Sequence, residues 1–410
     1  MVVLVVIFLI LIWVSIIKSL YRFIKVTKSL KNSKKHINVA PCNYKKIPKI
    51  EILIPVFEET GLIEESILYF DTLSEYVNTT YISTSREENH ETFDLAVKAI
   101  QKHNTTSIKI INCPNKVGNI ATQLNYGVKE LMGDPIVGIY NVDSKPTVDC
   151  FVYVLNNVTK NQVLQQVSYF DEQDKGILKS AQMWQNRWSY IYEMGKYQNK
   201  NKLFNFKYTI GHGFFGRLST INSVGGWDDD QINEDNIMGY KLLLKNIDIG
   251  GIPYMEQALF AKNLRIYIKQ QSVWFNGPLY AFKYYLKYST KESLYKKIRE
   301  MILACVNFKA ALSWIFLPIL CVLMMIISII SSNYYGLIII MASIAIYITG
   351  LNLLVANEMS KMGFSIKKNL KQQIIYDYIF FLCHCVGPCL TVLNIIKGKN
   401  IIQNKYKTEK

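Results

Sequence analysis

Apolar residues gather at the two ends of the chain. Val2–Ile17 is almost purely apolar, and three more apolar stretches follow late, Ala311–Ile330, Tyr334–Ala356 and Ile374–Ile396. Between them, roughly residues 50–270, the pattern is that of an ordinary globular domain. Ile50–Val56 is a short apolar run stopped by proline, which predicts a buried parallel strand. Glu64–Tyr76 has helical spacing, Tyr81–Thr84 reads as a strand and Glu91–Lys102 as a helix. Ile108–Asn112, Asn119–Leu131 and Pro135–Tyr140 continue the alternation as strand, helix, strand. This rhythm predicts an α/β fold with a mostly parallel, doubly wound sheet, whose ligands sit at the carboxyl ends of the strands. Further on, Val163–Phe170 reads as a strand and Leu178–Lys196 as an aromatic-rich helix with Trp184, Trp188, Tyr190 and Tyr192. Leu279–Asn307 mixes aromatic residues with lysines, as a helix lying in a membrane interface does.

The end segments read as membrane anchors around one globular domain. Val2–Ile17 is short for a span of about 20 residues. It has neither a charged leader nor a small-residue cleavage site, so an uncleaved anchor is preferred over a signal peptide. Pro318 and Gly387-Pro388 are tolerable in helix bundles. Asp377 and His384 make the last segment the weakest span, with an interfacial or re-entrant course as the alternative.

The chain has 47 basic and 31 acidic residues, a formal net charge of +16. Lys18, Arg22, Lys25, Lys28, Lys31, Lys34, Lys35, Lys45, Lys46 and Lys49 stand beside the first anchor with no acid among them. The positive-inside rule places them, and the domain after them, in the cytoplasm of a multi-pass cell-membrane protein. Lys361, Lys367, Lys368 and Lys371 agree, but the basic tail (Lys397, Lys399, Lys405, Lys407, Lys410) conflicts with four crossings. Attraction to anionic lipid explains basic residues at membrane boundaries better than nucleic acid does. The eight cysteines show no zinc spacing. Cys383, Cys385 and Cys389 lie in an apolar helix, where they pack.

Residues able to carry chemistry stand at the predicted strand ends. Glu58 and Glu59 follow the first strand, Glu87 and Glu88 the second, Lys116 and Gly118 the third. Asn141-Val142-Asp143 follows the fourth, where a carboxylate can hold Mg²⁺ or Mn²⁺ on a diphosphate. The alternative there is a plain turn, Asp-Ser before Lys-Pro. Asp235 opens a helical run and reads as an N-cap, a general base, or both. Gly211-His212-Gly213 lets backbone approach a ligand, and His212 can hydrogen-bond a phosphate or a sugar. Trp274, with Gln270 before it, can stack on a sugar ring or anchor at a membrane interface.

Taken in order, these residues resemble the family 2 glycosyltransferases of GT-A fold, in the membrane-integrated branch of cellulose and hyaluronan synthases and ceramide glucosyltransferase. Pro55-Val56-Phe57-Glu58-Glu59 is similar to the family's Pro-x-x-Asn-Glu opening. Val117-Gly118-Asn119 with Leu124-Asn125 is similar to its Lys/Gly then Leu-Asn segment. Asn141-Val142-Asp143 occupies the DxD place, Glu234-Asp235 the Thr-Glu-Asp motif, and Gln270 and Trp274 the ends of Gln-x-x-Arg-Trp. The resemblance implies an inverting glycosyltransferase with a nucleotide-sugar donor, a UDP-sugar being the expected class. It assigns the catalytic base to Asp235 and the metal to Asp143. It assigns the donor site to Pro55, Glu59, Glu87, Lys116, Gly118, Asn125, Asn141 and Asp143, and the acceptor site to His212, Gly213, Glu234, Gln270 and Trp274. The acceptor would be a lipid-linked or other saccharide beside the bilayer, with a processive polysaccharide synthase or a non-catalytic scaffold as alternatives. Three residues depart from the pattern: the DxD place keeps one acid, Val273 replaces the arginine, and Glu87 stands in for an aspartate absent from Ser83-Thr84-Ser85. The expected layout is an anchor over 1–20, a basic linker over 21–49 and the transferase domain over 50–276. Interfacial helices over 277–310, membrane helices over 311–396 and a basic tail over 397–410 follow.

Overall fold

The computed structural model describes residues 2–35, 49–170, 176–199, 204–231, 233–289, 293–364 and 370–398. The basic residues at 45–46, 367–368 and 399–410, and the expected linker end at Pro48, lie outside the described residues. The chain opens with helix α1 (Val2–Lys35). An alternating series follows: β1 (Ile50–Pro55), α2 (Ile63–Asp71), β2 (Val77–Thr84), α3 (Glu91–His103), β3 (Ile108–Cys113), α4 (Ile120–Lys129), β4 (Ile136–Ile139) and α5 (Val148–Asn157). Next come β5 (Gln162–Gln165), β6 (Ser168–Tyr169), α6 (Gly176–Arg187), a π-helical turn (Trp188–Glu193) and α7 (Met194–Gln198). The domain closes with β7 (Phe214–Arg217), α8 (Leu218–Ser223), α9 (Glu234–Leu244), β8 (Asp248–Gly251) and β9 (Glu256–Gln257). The strands form a seven-stranded sheet of order β3-β2-β1-β4-β7-β5-β8 and a two-stranded parallel ladder, β6-β9. Only β7 runs antiparallel, against β4 and β5, so the sheet is mostly parallel as expected.

Burial on both faces explains the apolar strands. One face packs Ile67, Phe70 and Phe151 from α2 and α5 against Ile52, Ile54 and Phe215. The other packs Leu53, Ile82 and Phe214 against Leu124, Met194 and Met238. β2 begins four residues before the expected Tyr81, at Val77. Thr79 and Thr80 look polar in sequence, yet they lie buried between β1 and β3, where β-branched residues fit a central strand. The expected strand Val163–Phe170 divides instead into β5 and β6, which join different sheets. The Gln166 N–H still donates to Gly213 O (2.7 Å) in register with β7, but the Gly213 N–H turns to Ile139 O (2.7 Å) and the pairing ends there.

Among the described residues four helical stretches are long and apolar enough to cross a membrane: Val3–Asn32, Leu294–Ile330, Tyr334–Lys361 and Gln373–Ile396. They involve α1, α12 (Leu294–Ile330), α13 (Tyr334–Ala345) joined through a π-helical turn to α14 (Leu351–Lys361), and α15 (Leu370–Cys383) with α16 (Val386–Ile396). Between sheet and bundle lie α10 (Leu264–Leu279) and α11 (Ala281–Tyr288). Two segments differ from expectation. Residues 21–35 continue α1 as helix, because Val26 and Leu30 share a helical face that packs into the core beside Tyr190 and Met194. Residues 294–307 belong to α12, a single helix of 37 residues. At 1.5 Å per residue such a helix is about 55 Å long, well beyond the roughly 30 Å hydrocarbon core of a bilayer.

Candidate active site

Two carboxylates carry the sequence argument, and one glycine loop runs between their surroundings. Asp143 lies four residues past β4. The Asn141 N–H donates to Ser144 Oγ (3.3 Å) and the Ser144 N–H returns to Asn141 O (3.1 Å), which closes a tight turn. Asp143 is 5% exposed, and its Oδ2 accepts the Leu259 N–H at 3.0 Å. It borders a small cleft of about 40 Å³ that is also lined by Glu65, Tyr69, Lys145 and Leu259. Burial, with the charge of Glu256 adding to it, holds the Tyr69 hydroxyl above the usual tyrosine range.

Asp235 lies in the first turn of α9 and is half-buried. The N-cap is Asn233, not Asp235 as the sequence suggested. Asp235 Oδ1 instead accepts the N–H of Asn236 at 2.7 Å, and its carbonyl accepts Thr209 Oγ1–H at 2.9 Å. A negative charge in a first helical turn is favoured by the helix dipole.

The loop Gly211-His212-Gly213 connects these two places. Gly211 and Gly213 have φ of +81° and +65°. A side chain at Gly213 would start 2.8 Å from the Gln166 carbonyl, so only glycine fits between the strand ends. The Gly213 N–H donates to Ile139 O, the last residue of β4, at 2.7 Å. On the other side, a Cβ at Gly211 would stand 3.7 Å from Asp235 Oδ2. His212 Nδ1 pairs with Glu256 Oε1, which also accepts Ser168 Oγ–H at 2.9 Å.

Helix α10, which carries Gln270 and Trp274, packs against the start of α9. Asn233 Nδ2 donates to Val273 O (3.3 Å), and the Cβ position of Gly277 lies 3.1 Å from Asn236 Nδ2. Trp274 is 41% exposed, Gln270 is half-buried and Glu234 is buried. The backbone of Val273 thus steadies the start of α9, although its side chain carries no charge.

Other expected donor residues do different work. Glu87 is buried and accepts Thr92 N–H (2.8 Å), Thr92 Oγ1–H (2.9 Å) and Glu58 N–H (3.1 Å). Its carboxylate ties the loop after β1 to the start of α3 rather than standing ready for a nucleotide base. Glu59 joins the same knot through its N–H to Thr92 Oγ1 at 3.0 Å. Asn125 grips the Trp227 backbone from both sides, donating to its carbonyl (2.7 Å) and accepting its N–H (2.9 Å). Pro55 ends β1 in register with Ile82. Gly118 has φ +145° and its carbonyl accepts Arg86 Nη1–H, while Lys116 is exposed nearby. Two residues went unnoticed in the sequence. Arg86 lies 4.5 Å over the Phe57 ring, and Glu256 is fully enclosed behind His212. The one available signal for Glu256 was an acid inside an otherwise apolar, aromatic segment.

Among the described residues no group of three or more His, Cys, Asp or Glu side chains could enclose a metal. One carboxylate is nevertheless a sufficient protein anchor for Mg²⁺ or Mn²⁺ when diphosphate oxygens and waters complete the shell. Asp143, a hard oxygen donor at the edge of a cleft, fits that requirement.

Known proteins share the family and the fold. The model of the glycosyl transferase family group 2 matches residues 138–355, more than half of the chain. A probable glycosyltransferase of Sulfolobus acidocaldarius is 22% identical over 306 residues, covering 72% of this chain and 64% of that one. The probable glycosyltransferase YdaM of Bacillus subtilis is 24% identical over 204 residues, covering 47% of this chain and 46% of its own length. The chain therefore spans only about half to two thirds of the curated relatives it matches. The mannosyltransferase PcManGT of Pyrobaculum calidifontis, solved with GDP-Man and Mn²⁺, superposes with a TM-score of 0.52 at 12% identity. That match covers 96% of this chain and 99% of the other, so the whole fold is shared, sheet and helical flanks together. With its mostly parallel sheet, its apolar helices and the run of matched residues from β4 into the bundle, this chain belongs to the glycosyl transferase family group 2.

Proposed function

We propose that this protein transfers a sugar, with inversion, from a nucleotide-diphosphate donor to an acceptor held at a membrane surface. The observation that carries the reading is the Gly211–Gly213 loop. A Cβ at Gly211 would stand 3.7 Å from Asp235 Oδ2, and the Gly213 N–H bonds Ile139 O at the end of β4, four residues before Asp143. In this proposal Asp235 takes the proton of an acceptor hydroxyl as that oxygen attacks the anomeric carbon. The bond from the anomeric carbon to the diphosphate breaks, and its electron pair leaves on the diphosphate oxygen. Attack opposite the leaving group inverts the anomeric centre. Asp143 would hold a divalent cation, which when bound neutralises charge on the departing diphosphate. The exposed Lys116 would meet the donor from the β3–α4 loop, and Trp274 and Gln270 would face the acceptor.

The bilayer side of the proposal rests on the helices. Lys18, Arg22, Lys25, Lys28 and Lys31 lie on the part of α1 that continues past its apolar run toward the sheet. This favours a catalytic domain on the cytoplasmic face of a multi-pass membrane protein. Few candidate spans and the neutral Val273 favour a lipid-linked or short saccharide acceptor over a growing polymer.

Asp235→Asn tests the reading. Turnover should fall by about 10³-fold or more, as when a general base is lost together with its charge, while donor binding stays within about threefold. A thermal-shift screen of UDP- and GDP-sugars with and without Mn²⁺ should identify the donor, since a ligand at 100 times its Kd stabilises by about 2.7 kcal/mol. Full turnover by Asp235→Asn would end the proposal.

A further inference from the structure

The short ladder β6-β9 lies directly behind the site, and the segment that leaves it touches both halves of the chemistry. Ser168 pairs with Glu256 and Tyr169 with Gln257. Glu256 is 0% exposed. Its Oε1 accepts Ser168 Oγ–H and pairs with His212 Nδ1, while its Oε2 has no hydrogen bond among the described residues. An enclosed polar group must be hydrogen-bonded, and Ser168 and His212 are the partners on Oε1. One residue on, Gln257 O accepts the Lys145 N–H at 3.0 Å. Two residues further, the Leu259 N–H donates to Asp143 Oδ2.

We infer that Glu256 is a positioning residue: through His212 it sets the Gly211–Gly213 loop against Asp235, while the same strand of chain, by way of Leu259, sets Asp143. Glu256–Leu259 then fixes the spacing of the base and the metal-binding carboxylate. This inference rests on the roles proposed above for Asp235 and Asp143. It adds that their separation depends on one enclosed acid outside every sequence motif. The physical reason is rigidity. The loop has two glycines at positive φ, and such backbone holds one conformation only when the surroundings impose it. Glu256 supplies that constraint from beneath, where no water competes for its hydrogen bonds.

The geometry separates two substitutions. Glu256→Gln keeps an oxygen that accepts from Ser168 and His212, whereas Glu256→Ala removes the clamp. Misplacing a reacting group by about 1 Å can cost about 10²-fold in rate. Glu256→Ala should therefore lose about 10²-fold in kcat with donor KM nearly constant, and Glu256→Gln should recover to within about tenfold of the parent. The experiment uses the full-length protein in detergent or nanodiscs, with the donor found in the thermal-shift screen. It reads kcat, donor KM and the Mn²⁺ concentration for half-activation, with Asp235→Asn assayed alongside. A kcat loss in Glu256→Ala that Glu256→Gln largely restores supports the inference. Equal activity of Glu256→Ala and the parent, or a loss confined to donor KM, overturns it. If Glu256→Ala does not fold, Ser168→Ala decides: parental kcat overturns the inference, and a several-fold kcat loss with donor KM nearly constant supports it. Should Asp235→Asn be fully active, the base assignment fails. Should Asp235→Asn be dead while Glu256→Ala is active, only the positioning role fails.

Discussion

The loops at the β1–β3 side of the sheet and those at the β4–β7 side are built from similar residues and use them differently. After β1, β2 and β3 the polar side chains bind backbone. Glu87 takes three donors from Thr92 and Glu58, and Gln123 Nε2 spans Val56 O (2.9 Å) and Ile82 O (2.6 Å). Asn119 caps α4 through Ala121 and Thr122 while reaching Asp229 O and Gln231 O, and Asn125 holds Trp227. After β4 and after β7 the carboxylates are hydrogen-bonded in place, Asp143 buried at the rim of the cleft and Asp235 half-buried in the first turn of α9. In the proposed reading the β1–β3 side is a brace, and the β4–β7 side carries the chemistry.

The sharpest way to break this comparison is to remove charge on each side. Asp143→Asn keeps the shape and the hydrogen bond from Leu259 but weakens cation binding. It should lower kcat by about 10²–10³-fold and raise the Mn²⁺ needed for half-activation. An unchanged Mn²⁺ requirement would move the metal elsewhere. Asn125→Ala, on the brace, should behave in the opposite way. It leaves the Trp227 N–H and carbonyl without partners, at a cost of about 2 kcal/mol in stability. Chemical denaturation should register that loss while kcat on folded protein stays within about twofold. A large kcat defect with normal stability would put Asn125 back in the donor site.

Much of this division was legible before any coordinates. Apolar runs of strand length separated by amphipathic helices announced the parallel sheet, because strands covered on both faces cannot hide that composition. The four membrane-length stretches were equally plain. The Gly-x-Gly loop and Asp235, singled out separately in the sequence, lie beside each other in the fold. Boundaries of use were not legible. Glu87 and Asn125 look like ligand residues in sequence, since nothing local reveals that Thr92 and Trp227 consume their hydrogen bonds. Glu256 was invisible for the converse reason. Its partners, His212 and Ser168, are 44 and 88 residues away in the chain, and only the folded ladder brings them together. The continuation of α1 through Lys35 was obscured because lysines dominate residues 18–35, although Val26 and Leu30 already lay on one helical face.

The smallest expected effect comes from Lys116, and it tests the comparison at its boundary. Two cations flank the β3–α4 loop. Arg86 is committed, its guanidinium over Phe57 and its Nη1 on Gly118 O, and burial lowers its pKa from the usual arginine value. Lys116 is exposed on the same loop. If the brace side contributes to the donor site at all, this ammonium does so, as a screened charge near the diphosphate. Exposed charge pairs contribute about 0.2–1 kcal/mol, so Lys116→Ala should raise donor KM by no more than about fivefold and leave kcat unchanged. Salt supplies the control. Screening at an ionic strength near 0.5 M shortens the reach of such a charge to about 4 Å, so the parent's donor KM should rise with salt toward that of Lys116→Ala. A KM difference that persists at high salt would mean a direct, desolvated contact. In that case the brace would share in substrate recognition, and the line between the two sides would move past β3.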